Sequence, residues 1–198
     1  MVAQDMACHI DSPGALLFVT TAAEVEAGDK QWLQADRDVL VQAGYDVQDY
    51  TLTGKSRSEV ELALKDIHTL FVSGGNTFYL LQKIQESNCA DLIRSRVENG
   101  MIYIGSSAGS LVAGPDIYPG YSIDDAEKAP NLKGYAGLNL VDVVVLPHWG
   151  NKHFKDPYLN LEMPHVYEHH NNKMVLLNDM QYLRVEELWY RIEDVTRT

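Results

Sequence analysis

Two apolar rhythms alternate along the first hundred residues. Ala15-Leu16-Leu17-Phe18-Val19-Thr20 is an unbroken apolar run of the kind a strand covered on both faces shows. A helical spacing follows from about Glu24 to Ala43, and Gly44 stops it as a C-terminal cap. Tyr45 to Tyr50 reads as a second strand. Ser56 and Glu59 have capping-box spacing ahead of a helix through Leu64, and His68-Thr69-Leu70-Phe71-Val72 is a third strand running into Ser73-Gly74-Gly75-Asn76. Helical patterns cover Thr77 to Gln85 and Ala90 to Glu98, with Gly100 ending the second before the strand Met101-Ile102-Tyr103-Ile104. This β-α-β-α order predicts an α/β fold: a mostly parallel sheet with helices on both faces, and functional groups at the carboxyl ends of the strands. Farther on, Val141 to Leu146 forms a strand ending in Pro147-His148-Trp149-Gly150. The apolar runs Met174 to Leu177 and Tyr182 to Val185 flank the turn Asn178-Asp179-Met180, while Pro115 to Gly137 reads as a long loop.

Composition narrows the function classes. A chain of 198 residues is expected to form one domain over 1–198, with 1–13 irregular. That size buries roughly 70 % of the unfolded surface without a staple. Cys8 and Cys89 are the only cysteines, no apolar run reaches membrane-spanning length, and the first residues lack the basic and apolar regions of a signal peptide. The expectation is a cytoplasmic protein with free thiols and no membrane partner. A net charge of −12 without a basic stripe makes nucleic acid an unfavourable partner, because the phosphate backbone would be repelled.

The candidate chemistry centres on Gly105-Ser106-Ser107-Ala108-Gly109, a G-x-S-x-G motif where a strand turns into a helix. Such an elbow needs small residues on both sides, since the serine is held in a strained conformation with the chain packed closely around it. Ser107 is thus a candidate nucleophile. The N–H of Ala108, at a helix N-terminus, is a candidate oxyanion donor. A small-residue turn that merely packs a helix on a strand is the alternative. A serine nucleophile needs an imidazole to take its proton and a carboxylate to orient that imidazole. His148, at the carboxyl end of its strand, is the candidate base, and Asp179 the candidate acid. Asn-Asp pairs also favour hairpin turns for purely local reasons.

Phe71-Val72-Ser73-Gly74-Gly75-Asn76-Thr77-Phe78-Tyr79-Leu80-Leu81, the elbow at Ser107 and Pro147-His148 together resemble the aspartyl dipeptidase (peptidase E) family of serine peptidases, which includes the cyanophycinases. The resemblance runs from about Ala15 to Val185. It implies a class I glutamine amidotransferase-like fold, small peptide substrates, no metal or organic cofactor, and the chain order Ser, His, acid. The family's acid is commonly glutamate; the matching position is Asp179, ahead of Tyr182-Leu183-Arg184-Val185. The Gly-Gly-Asn turn is implied as part of the oxyanion hole, with the N–H of Gly75 beside that of Ala108. Asn76, Trp149 and Lys152 are the candidate substrate contacts. Two departures stand out. Relatives carry a further strand and helix before the segment matching Ala15, so the sheet is expected to be shorter by an edge strand. The arginine that pairs a substrate aspartate after the catalytic histidine also has no counterpart, because no arginine lies between Arg96 and Arg184.

Two rival classes remain. His165-Val166-Tyr167-Glu168-His169 spells H-x-x-E-H, a zinc-hydrolase signature, with Pro164 able to open the helix, but a third ligand is hard to find downstream. An amidotransferase-like domain that binds without catalysis would use Ser107 only for packing. The reading adopted is a serine peptidase acting on small peptides, with the oligomeric state left open.

Overall fold

A computed structural model of the chain describes residues 10, 13–169, 172–187 and 189–195. Its centre is a parallel sheet of β1 (Ala15–Val19), β2 (Asp46–Tyr50), β3 (Thr69–Val72) and β4 (Ile102–Gly105), in the order β2-β1-β3-β4. The chain leaves β1 toward one edge and then returns to the other side for β3, so its direction reverses between β1 and β3. Ligands of open parallel sheets gather beyond the carboxyl ends at such a reversal. Register brings Val19, Val72 and Gly105 level there.

The pleat explains why the apolar runs are unbroken. Leu17, Val19, Leu70 and Val72 point to one face and pack with residues of α2 (Arg57–Ala63), α3 (Thr77–Glu86), α4 (Ala90–Glu98) and α5 (Ala108–Ala113). Leu16, Phe18, Phe71 and Ile104 point to the other face, where Leu33 and Leu40 of α1 (Gln31–Gln42) meet them. Both faces are covered, as period-2 alternation under two helical layers requires. The Ser56–Glu59 capping box forms, with Ser56 N–H donating to Glu59 at 2.9 Å.

One helix boundary differs from the expectation. α1 begins at Gln31 rather than near Glu24, because a 3-10 turn at Thr21–Ala23 precedes it and Gly28 takes a left-handed φ of +83°. The Glu24 carboxylate instead accepts from the hydroxyls of Thr53 (2.6 Å) and Tyr79 (3.1 Å), which fixes the segment over the sheet end.

The second half forms smaller ladders. β5 (Val144–Leu146) pairs in parallel with β6 (Met174–Leu176), and β7 (Gln181–Glu186) pairs antiparallel with β8 (Trp189–Asp194). The 115–137 segment contains two 3-10 turns and is laced to α3: the side-chain oxygens of Gln82 and Gln85 accept from Asn131 N–H (2.8 Å) and Lys133 N–H (2.9 Å). A final helix, α6 (Met163–His169), follows a π-helical segment at Pro157–Glu162. Most of 1–13, expected to be irregular, lies outside the described residues. No helix among the described residues is long and apolar enough to cross a membrane.

Candidate active site

Ser107 sits between β4 and α5 at φ 49°, ψ −106°, a conformation rarely taken by residues with a side chain and worth about 1–3 kcal/mol of strain. The surroundings hold it there. Ser106 N–H donates to Val72 O (2.9 Å), Gly109 N–H to Ser106 O (2.8 Å), and Ser110 Oγ to Gly105 O (2.9 Å). The flanking glycines are required by contact: a methyl on Gly105 would stand 2.5 Å from Gly109 O, and one on Gly109 only 2.2 Å from Val72 O. Because both obstacles are backbone, Gly109→Ala is expected to destabilise the protein by about 3 kcal/mol or more through overpacking, read as a lower urea midpoint at unchanged slope.

His148 leaves β5 with φ +62°. Pro147 just before it is held by Tyr158, whose buried hydroxyl donates to Pro147 O at 2.5 Å. The β5–β6 ladder continues past the strand ends, with Leu177 N–H on Leu146 O (3.0 Å) and Trp149 N–H on Leu177 O (2.9 Å). That register sets His148 beside the 178–180 turn. Within the turn the local bonding falls to Asn178, whose Oδ1 accepts Met180 N–H at 2.8 Å. Asp179 is thereby left to reach outward. β6 and β7 belong to different ladders, so the turn is not a hairpin.

The three side chains form one hydrogen-bonded line: Ser107 Oγ to His148 Nε2 at 2.9 Å, and His148 Nδ1 to Asp179 Oδ1 at 2.6 Å. The second carboxylate oxygen accepts from Asn151 Nδ2 at 2.9 Å, and Asn151 N–H returns to His148 O at 3.0 Å. The Phe154 ring stacks on the imidazole, with centroids 4.7 Å apart and planes 12° from parallel. Burial pushes the Asp179 carboxyl up, but the hydrogen bonds from His148 and Asn151 outweigh it and hold the group below the usual carboxylate range. Beside the serine, Gly75 has φ +126°, and a methyl on it would overlap Ala22 O at 2.2 Å. Asn76 N–H also donates to Ala22 O, at 2.8 Å. The backbone at Gly75 is therefore tightly placed against Ala22.

Comparison with known proteins decides the family, since residues 5–192 match Peptidase family S51. The chain belongs to that family. It is 35 % identical over 137 residues to an uncharacterised peptidase of Pasteurella multocida, covering 69 % of this chain and 66 % of that one. It is 33 % identical over 136 residues to a peptidase E of a Nostoc species, covering 69 % and 52 %. The matches thus span about two thirds of those curated relatives or less. A 1.5 Å crystal structure of a candidate peptidase E protein from Listeria monocytogenes superposes with a TM-score of 0.87 at 26 % identity, covering 97 % of this chain and 92 % of the other. The α/β, amidotransferase-like architecture is that of the family.

Other candidate residues of the S51 chain fare differently. Asn76 is buried and both ends of its amide are bonded: Oδ1 caps α3 by accepting Tyr79 N–H (2.9 Å), and Nδ2 donates to Asp125 O (2.9 Å). Its side chain therefore ties the glycine turn to the 115–137 loop. Trp149 packs edge-on against Tyr158 at 5.6 Å, half-buried beside the core. Lys152 is exposed in the turn after His148. The 115–137 loop does reach the site, where Asp124 accepts from both the N–H (2.9 Å) and hydroxyl (2.5 Å) of Thr77. Burial raises the Asp124 carboxyl above its usual range, with the Thr77 bonds and His148 opposing. Of the H-x-x-E-H residues, His165 lies against the Tyr118 ring at 5.1 Å, and the His169 side chain is outside the described residues. Asn151 and Phe154 were missed by sequence reasoning. Their only signal is closeness in the chain to His148, which does not tell which of the 149–156 side chains turn back.

Proposed function

We propose that this chain is a serine peptidase that hydrolyses small peptides with Ser107, His148 and Asp179. What supports the reading is the unbroken line of hydrogen bonds from a carboxylate through an imidazole to a serine hydroxyl held at a strained elbow. In the proposed mechanism Oγ of Ser107 attacks the scissile carbonyl while Nε2 of His148 takes its proton. The oxygen of the tetrahedral intermediate turns toward the N–H groups of Gly75 and Ala108. The imidazolium, steadied by Asp179, then gives its proton to the departing amine, and water repeats the sequence to free the acyl group. Asn151, by donating to the second carboxylate oxygen, leaves the first for Nδ1 of His148. The stretch after His148 has no guanidinium, so preference for an aspartyl substrate is expected to be weak.

The test is a fluorophosphonate probe applied beside a dipeptide library. Covalent labelling mapped to Ser107, together with cleavage of free dipeptides, is the expected result. Failure of both would favour a binding domain without catalysis. An aspartyl preference above about a hundredfold, near 2.7 kcal/mol, would reveal a cationic subsite.

A further inference from the structure

Trp32 stands beside the proposed nucleophile without a part in its chemistry. It lies in the first turn of α1, where its neighbour Leu33 packs toward the sheet while Trp32 itself is 40 % exposed. Contacts fix its place. A methyl group on Gly74 would stand 3.1 Å from Cβ of Ser107 and 3.7 Å from Cζ3 of Trp32. The indole and the serine thus flank one bare stretch of backbone, and the lack of a side chain at 74 leaves room between them.

The two sides of Ser107 differ in what they can accept. His148, backed by Phe154, Asn151 and Asp179, occupies one side, and the leaving amine must go there because it collects its proton from Nε2. With the carbonyl oxygen turned to the N–H groups of Gly75 and Ala108, the acyl residue is left on the Gly74 side. We infer that Trp32 is the wall of the acyl-side subsite and selects peptides whose residue on the carbonyl side of the cleaved bond is aromatic or large and aliphatic. The inference rests on the serine-peptidase reading. An indole face rewards apolar area and gives an aromatic partner added stacking or edge contact. An acidic side chain gains nothing there, because an indole face offers it apolar surface and no cationic partner.

The experiment measures kcat/KM for Phe-Ala, Leu-Ala, Ala-Ala and Asp-Ala with the native protein, Trp32→Ala and Trp32→Phe. It also measures the rate at which phosphonate analogues of phenylalanine and alanine label Ser107. Native protein is expected to favour Phe-Ala over Ala-Ala by about tenfold or more, with the ratio falling to about threefold or less in Trp32→Ala and largely kept in Trp32→Phe. The phosphonate ratios should move in parallel. Each ratio is taken within one variant, so a change in folded fraction cancels. A native ratio below about threefold, or one that Trp32→Ala leaves unchanged, overturns the inference. Phosphonate labelling that prefers phenylalanine without dipeptide cleavage supports the subsite and points to a longer substrate. Absence of all cleavage and all labelling overturns the serine-peptidase reading, and the subsite with it.

Discussion

Replacing Ser107 with alanine is expected to lower kcat on cleavable dipeptides by about 10⁶, leaving a small residual rate over water. The hydroxyl is the only nucleophile in the proposed line, and once it is gone His148 has no serine proton to take and Asp179 no imidazolium to steady. A residual rate from the oxyanion donors and substrate positioning is still expected, because those parts do not depend on Oγ. The substitution also removes a hydroxyl from a strained position without touching the glycine contacts around it, so the variant should melt near the native temperature. Measured turnover within about tenfold of native, at matched active concentration, would remove Ser107 from the mechanism.

Asp179→Asn is the second large effect, with kcat expected to fall by about 10⁴. The reason lies in the count of acceptors. The carboxylate accepts from His148 Nδ1 on one oxygen and from Asn151 Nδ2 on the other. An asparagine has one acceptor oxygen and one NH₂ group. If the oxygen stays with Asn151, the NH₂ faces Nδ1 and drives the imidazole proton to Nε2, where it can no longer accept from Ser107. If the amide turns over, the two NH₂ groups of 151 and 179 face each other. Either way the base is lost or its support is broken. The carboxyl is held below its usual range in the folded chain, so the stability it contributes is present above the ordinary aspartate pKa and lost as pH falls through the lowered value. Asp179→Asn should flatten that acid limb in a melting series against pH. A near-native rate would assign the acid to another carboxylate.

Much of this architecture is local information. The capping box at Ser56, the stop at Gly44 and the unbroken strands report which conformations a short stretch can take and whether both its faces are covered. They were legible because sterics and burial act on neighbours in the chain. The start of α1 was not, because Glu24 to Lys30 has helical spacing but is held elsewhere by hydroxyls of Thr53 and Tyr79, residues far along the chain. The bonds of Asn76 were hidden for a related reason. A polar residue in a glycine turn shows no partners in the sequence, and only the fold shows that its amide bonds Tyr79 and Asp125.

The site divides along the same line. The sequence by itself determined the family, the strand-to-helix elbow and which residue types stand at the ends of strands, because the segments that carry them, 71–81, 105–109 and 147–148, are each contiguous in the chain. Tertiary structure alone decided that Asn178 closes its turn and so releases Asp179 toward His148, that Asn151 and Phe154 turn back onto the same pair, and that Trp32 faces Ser107 across Gly74. Each of these depends on the register between β5 and β6 or on the meeting of β1, β3 and β4. Contacts between segments distant in the chain are selected by the packing of the whole core, and no local pattern of residues encodes them.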